Sequence, residues 1–125
     1  MGRELRYGII GAGSMGREHI LNVNVMGTGV VTALADPHQP SLDASLALAP
    51  GAKTFADHRA LLESGLVDAV VVATPNDTHA AVLKDVLATD IAALIEKPLA
   101  TTMDDCKAIK SWGEGRSALT WMALE

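Results

Sequence analysis

Three glycines spaced G-x-G-x-x-G, in Gly11-Ala12-Gly13-Ser14-Met15-Gly16, stand between an apolar run ending in Ile9-Ile10 and a segment of helical period through Ile20 and Leu21. A turn without side chains suits one kind of chemistry: backbone N–H groups can approach an anion at a helix N-terminus, where the helix dipole is positive. Gly11 is assigned to the tight turn, Gly13 to close approach of backbone to a pyrophosphate, and Gly16 to close contact between helix and strand. The N–H groups of Gly13, Ser14 and Met15 would then face the phosphates. With 11 glycines in 125 residues, the bare pattern arises by chance in about one such chain in twelve. Its setting, directly after a strand and directly before a helix, separates it from a plain strand-to-helix turn.

Asp36 closes the next apolar run, Thr32-Ala33-Leu34-Ala35, and lies 36 − 16 = 20 residues past the last glycine. An acid at about that spacing meets the adenosine ribose of a dinucleotide. The carboxylate can accept from both ribose hydroxyls and repels a 2′-phosphate. Pro37-His38-Gln39-Pro40 supplies no Arg or Lys to rescue a phosphate, so NAD is favoured over NADP. The competing reading is local, with Asp36-Pro37 as a turn starter.

Positioning these residues requires alternating elements. Residues 7–10, 30–35, 69–73, 92–95 and 118–122 are β-branched or apolar runs without alternation, predicted as strands covered on both faces. Residues 15–25, 58–64, 78–89 and 103–112 have helical period, and a short helix is predicted within 37–52, between Pro40 and Pro50. Gly27, Gly65 and Gly113 sit where helix C-termini want a left-handed residue, and Asp57 and Thr102 sit as N-caps. Strands joined by helices give an α/β fold: a Rossmann-type, doubly wound, mainly parallel sheet with helices on both faces. One domain over residues 1–125 is the natural count for this length.

Composition removes several classes. A formal net charge of −5 with scattered basic residues argues against nucleic acid as a partner. The longest purely apolar run, Ala69-Val70-Val71-Val72-Ala73, is far too short to cross a bilayer, and the N-terminal residues carry no signal-length apolar run. A single cysteine, Cys106, cannot staple the chain, which suits a reducing cytoplasm. His19, His38 and His58 show no ligand spacing with it, so no metal site is expected.

Two later motifs complete the set: Ala73-Thr74-Pro75-Asn76-Asp77-Thr78-His79 after one strand, and Glu96-Lys97-Pro98 after the next. In this order the four motifs resemble the glucose-fructose oxidoreductase, inositol dehydrogenase and rhizopine-catabolism family, Gfo/Idh/MocA, over essentially the whole chain. The resemblance implies that Thr74, Pro75 and Asn76 line the cofactor, that His79 lies near it, and that Lys97 sits beside nicotinamide and substrate as the catalytic residue, its geometry set by Glu96 and Pro98. The turn at Thr89-Asp90-Ile91-Ala92 departs from the family pattern and leaves only loop shape open. The resemblance further implies a sugar or polyol substrate, a homo-oligomeric whole protein, and a second domain for substrate and oligomerisation that this sequence does not contain. Two rivals are a dinucleotide-binding regulatory or sensor module without turnover, and a methyltransferase, against which the Glu-Lys-Pro motif speaks.

Overall fold

In the computed structural model, residues 5–27, 29–73, 79–95 and 120–122 are described. The elements run β1 (Leu5–Ile10), α1 (Ser14–Met26), β2 (Gly29–Ala35), α2 (Gln39–Leu46), β3 (Lys53–Phe55), α3 (His58–Glu63), β4 (Ala69–Val72), α4 (His79–Leu87), β5 (Ala92–Ile95) and β6 (Thr120–Met122). The strands form a six-stranded sheet in the order β3-β2-β1-β4-β5-β6, and each neighbouring pair is parallel.

Uninterrupted apolar strands split their side chains between two cores because successive residues point to opposite faces. Ile10, Val70 and Val72 pack with Leu61 of α3 and with Leu83 and Val86 of α4. Ile9, Val71 and Leu34 pack on the other face with Ile20 and Val23 of α1 and Leu42 of α2. All twelve are buried, and each large apolar side chain withdrawn from water contributes about 1.5–3 kcal/mol. In β2 the alternation breaks once. Tyr7 pairs with Val31 but Gly8 pairs with Ala33, leaving Thr32 as an extra residue. This bulge lets Val31 and Leu34, three residues apart, serve the same core. The Thr32 hydroxyl donates to the Leu66 carbonyl at 2.7 Å.

Local punctuation holds where it is described. Gly27 ends α1 at φ 70° with its N–H on the Val23 carbonyl, and the Asp57 side chain accepts from the Arg59 N–H at the start of α3. Gly65, just past α3, has φ 73°. The segment around Pro40 is helical as expected. The sequence reading misses β3: three residues on a sheet edge, beginning with exposed Lys53, are too short and too polar to register as an apolar run. The helix predicted over 103–112 and the signals at Thr102 and Gly113 lie outside the described residues. Among the described residues no helix is long and apolar enough to cross a membrane.

Helices α3 and α4 are also tied by charge. His58 Nε2 lies 2.7 Å from Asp85 Oδ2, to which Arg59 Nε also donates at 3.0 Å. The His58 contact is the largest influence on the Asp85 carboxyl and, with Arg59, holds it below the usual carboxylate value against the opposing effect of burial. A carboxyl depressed by folding adds stability above its unfolded value, about 3.9, and loses that contribution as pH falls through the lower folded value. In thermal melts Asp85→Asn is therefore less stable than the wild type at pH 7, and the two curves converge as pH drops below about 4. A gap that stays constant from neutral to acid pH would remove Asp85 from the acid response.

Candidate functional site

Strand β1 is flanked by β2 on one side and β4 on the other, so the chain order reverses at β1. In open α/β sheets the ligand crevice lies outside the carboxyl ends of the strands at such a point. Here the Ala73 N–H donates to the Ile10 carbonyl at 2.7 Å and the Gly11 N–H to the Ala35 carbonyl at 2.8 Å. The ends of β1, β2 and β4 are thereby held level, with the glycine loop leaving from their centre.

The three glycines have three different reasons. Gly11 has φ 98°, a conformation that L side chains rarely adopt. A Cβ on Gly16 would stand 2.0 Å from the Gly11 carbonyl oxygen, so α1 can lie this close to the strand end only without it. A Cβ on Gly13 would meet nothing within 4 Å. Residue 13, with extended φ −75° and ψ −162°, caps α1, and its carbonyl accepts from the Arg17 N–H at 2.9 Å. The open space over Gly13 fits a pyrophosphate brought against bare backbone, and a larger side chain would fill it.

Asp36 meets the same loop. Its Oδ2 accepts from the Ala12 N–H and its Oδ1 from the His38 N–H, both at 2.8 Å. The turn-starting reading of this residue is seen directly in the bond to His38, and the same carboxylate faces the glycine loop through Ala12. Its own N–H donates to the Phe55 carbonyl at 3.0 Å, so the unforeseen β3 anchors it. Each carboxylate oxygen has a second lone pair, which leaves room to accept a ribose hydroxyl as well. The His38 ring lies 2.9 Å from the Ser41 hydroxyl, at the start of α2.

The structure thus brings Gly11, Gly13 and Asp36 together. Ser14 and Met15 open α1 directly behind them, and His79 is the first residue of α4. Thr74, Pro75, Asn76, Glu96 and Lys97 lie outside the described residues. The strands that precede them in the chain end side by side, with Val72 opposite Ile95. Among the described residues no group of three or more His, Cys, Asp or Glu side chains could hold a metal ion. Sequence reading missed Ser45 and Arg17. Both donate to the Ala12 carbonyl, the Ser45 hydroxyl at 2.7 Å and Arg17 Nη1 at 3.1 Å. One signal was present for Ser45: three residues after Leu42, it shares that residue's buried helix face.

Comparison with known proteins agrees with this geometry. The profile of a family described as an oxidoreductase family with an NAD-binding Rossmann fold (GFO_IDH_MocA) matches residues 5–123. An inositol 2-dehydrogenase of Leifsonia xyli subsp. xyli is 38% identical over 108 residues, covering 86% of this chain and 31% of that protein. The rhizopine catabolism protein MocA of Rhizobium meliloti is 35% identical over 103 residues, covering 82% of this chain and 32% of that protein. The crystal structure of myo-inositol dehydrogenase from Lactobacillus casei in complex with NAD(H) and myo-inositol superimposes with a TM-score of 0.90 at 32% identity, over 96% of this chain and 36% of that one. The chain spans about a third of the length of these relatives.

Two glycine substitutions separate the roles at the turn. Gly13→Val, projecting into open space from an extended backbone, leaves the melting temperature near that of the wild type and abolishes dinucleotide binding. Gly16→Ala, driven into the Gly11 carbonyl, lowers the melting temperature with or without ligand. Native affinity in Gly13→Val, measured by calorimetry, would exclude a phosphate over residue 13.

Proposed function

The chain belongs to the Gfo/Idh/MocA oxidoreductase family, and we propose that it is the cofactor-binding domain of an NAD-dependent dehydrogenase acting on the secondary alcohol of a sugar or polyol. One juxtaposition carries this reading: Gly13 is bare to the crevice while Asp36 is bonded to the neighbouring Ala12 N–H. Phosphate-accepting backbone and ribose-accepting carboxylate are then parts of one loop system, at the spacing a dinucleotide needs. The relatives named inositol 2-dehydrogenase and the myo-inositol complex support the substrate class.

When bound, the nicotinamide supplies the hydride donor or acceptor, and the chain supplies position and charge. Backbone N–H groups of Gly13, Ser14 and Met15 hold the pyrophosphate, and Asp36 holds the adenosine ribose. Thr74, Pro75, Asn76 and His79 line the crevice by resemblance to the family. Lys97, carried by the Glu96-Lys97-Pro98 motif, is the proposed catalytic residue: its Nζ exchanges a proton with the reacting hydroxyl, and desolvation weakens its hold on that proton. Substrate recognition and oligomer formation belong to the remaining two-thirds of the whole protein. The reducing cytoplasm suits a chain with one cysteine.

NAD(H) should bind more tightly than NADP(H) by more than about tenfold, or 1.4 kcal/mol. Asp36→Ala narrows that ratio. It also weakens both cofactors, because the Ala12 and His38 N–H groups lose their acceptor. Equal affinities of the wild-type chain for the two cofactors in calorimetry would overturn the ribose assignment.

In the whole protein, Lys97→Ala should lower kcat by about 10²–10⁴-fold with cofactor affinity nearly unchanged. Wild-type turnover in that variant would return Lys97 to the surface.

A further inference from the structure

Ser45 is fully buried in α2, and its hydroxyl crosses to a loop 33 residues earlier. A helical serine can satisfy itself on the carbonyl one turn back. This one instead donates to the Ala12 carbonyl at 2.7 Å, an oxygen that also receives Arg17 Nη1 at 3.1 Å. Two donors, one neutral and buried and one cationic and half-exposed, therefore converge on a single backbone carbonyl. On the other side of the residue the Ala12 N–H is held by Asp36 at 2.8 Å.

The consequence follows from peptide geometry. The Ala12 carbonyl and the Gly13 N–H belong to one planar trans peptide, in which C=O and N–H point in opposite directions. Holding the carbonyl inward, on a side chain in the core, turns the Gly13 N–H outward. A Cβ on this residue would meet nothing within 4 Å, so the backbone here is uncovered, and among the described residues no acceptor takes the Gly13 N–H. The guanidinium charge on the carbonyl also polarises the peptide and strengthens its N–H as a donor to an anion.

We propose that Ser45 and Arg17 are positioning residues for the cofactor: by pinning the Ala12 carbonyl they aim the Gly13 N–H at the dinucleotide pyrophosphate. This rests on the glycine loop being the dinucleotide site. In this role both side chains act through the Ala12 carbonyl that they hold. Their effect is confined to the phosphate-binding backbone, so the adenosine end should not respond to them.

The test uses the chain with two probes, ADP-ribose, which carries the pyrophosphate, and adenosine, which does not. Ser45→Ala and Arg17→Ala should each weaken ADP-ribose by about tenfold and leave adenosine unchanged. Arg17→Lys, which keeps a cationic donor, should recover most of the loss. In amide NMR spectra the downfield shift of the Gly13 N–H on adding ADP-ribose should be large in the wild type and reduced in both alanine variants. Should Ser45→Ala fail to fold, Arg17→Ala, altered at a half-exposed side chain, decides the question by the same readouts. Unchanged ADP-ribose affinity in the folded alanine variants, or equal losses for ADP-ribose and adenosine, would overturn the proposal. A wild-type chain that binds adenosine but shows no gain from the pyrophosphate would instead overturn the dinucleotide reading beneath it.

Discussion

The separation between α1 and the end of β1 governs much else in this domain. With no side chain on residue 16, the first turn of α1 lies against the Gly11 carbonyl, where a Cβ would intrude to 2.0 Å. That closeness brings the N-terminal amides of the helix to the mouth of the central strand instead of a side chain's width away. A dipole and a set of unpaired N–H groups are useful to an anion only within the first turn. Binding chemistry here thus begins as a packing constraint. It is sustained by the cores on both faces, in which Ile9, Ile20 and Leu34 on one side and Ile10 and Val72 on the other fix strand and helix together.

The second half of the site depends on features less direct than a glycine motif. Asp36 reaches the loop because β2 ends level with β1, with Ile10 opposite Ala35. That register is reached only after the bulge at Thr32 has restored the alternation of faces. Without the bulge, residues three apart would face opposite cores, and Val31 and Leu34 could not both serve the α1 side of the sheet. The short β3 then holds the Asp36 N–H on the Phe55 carbonyl. An edge strand of three residues contributes little apolar burial, yet it fixes the backbone of the residue proposed to meet the ribose.

These differences explain what could be read from the sequence. Gly11, Gly16, Asp57 and Gly65 were legible because each answers a local demand, whether a left-handed φ, an excluded Cβ or a helix cap, that leaves its trace within a few residues. The strands at 7–10, 30–35, 69–73 and 92–95 were legible because burial on both faces enforces an unbroken apolar run. Ser45 and Arg17 were not, since their shared partner is a backbone carbonyl whose direction no pattern of side chains records. The pairing of β3 with β2 was hidden for a related reason: its hydrogen bonds are backbone to backbone, and Lys53-Thr54-Phe55 bears no distinctive composition. The bulge at Thr32 left only a break in alternation, which reads equally well as a strand buried on both sides.

With Asp36 as the proposed ribose acid, discrimination and architecture cannot be separated at this site. A discriminating acid would ideally be a free carboxylate whose removal changed preference and nothing more. Here each oxygen already accepts a backbone N–H, one from the glycine loop and one from the turn into α2. Replacement by Asn would remove the charge that repels a 2′-phosphate but leave a single acceptor oxygen, because the amide nitrogen only donates. One of the two N–H groups would lose its partner, at a cost of about 1–3 kcal/mol if left buried and unsatisfied. Admitting a phosphorylated ribose therefore requires more than neutralising the acid. It requires that the one retained oxygen stay on the part-buried Ala12 N–H, while the exposed His38 N–H turns to water.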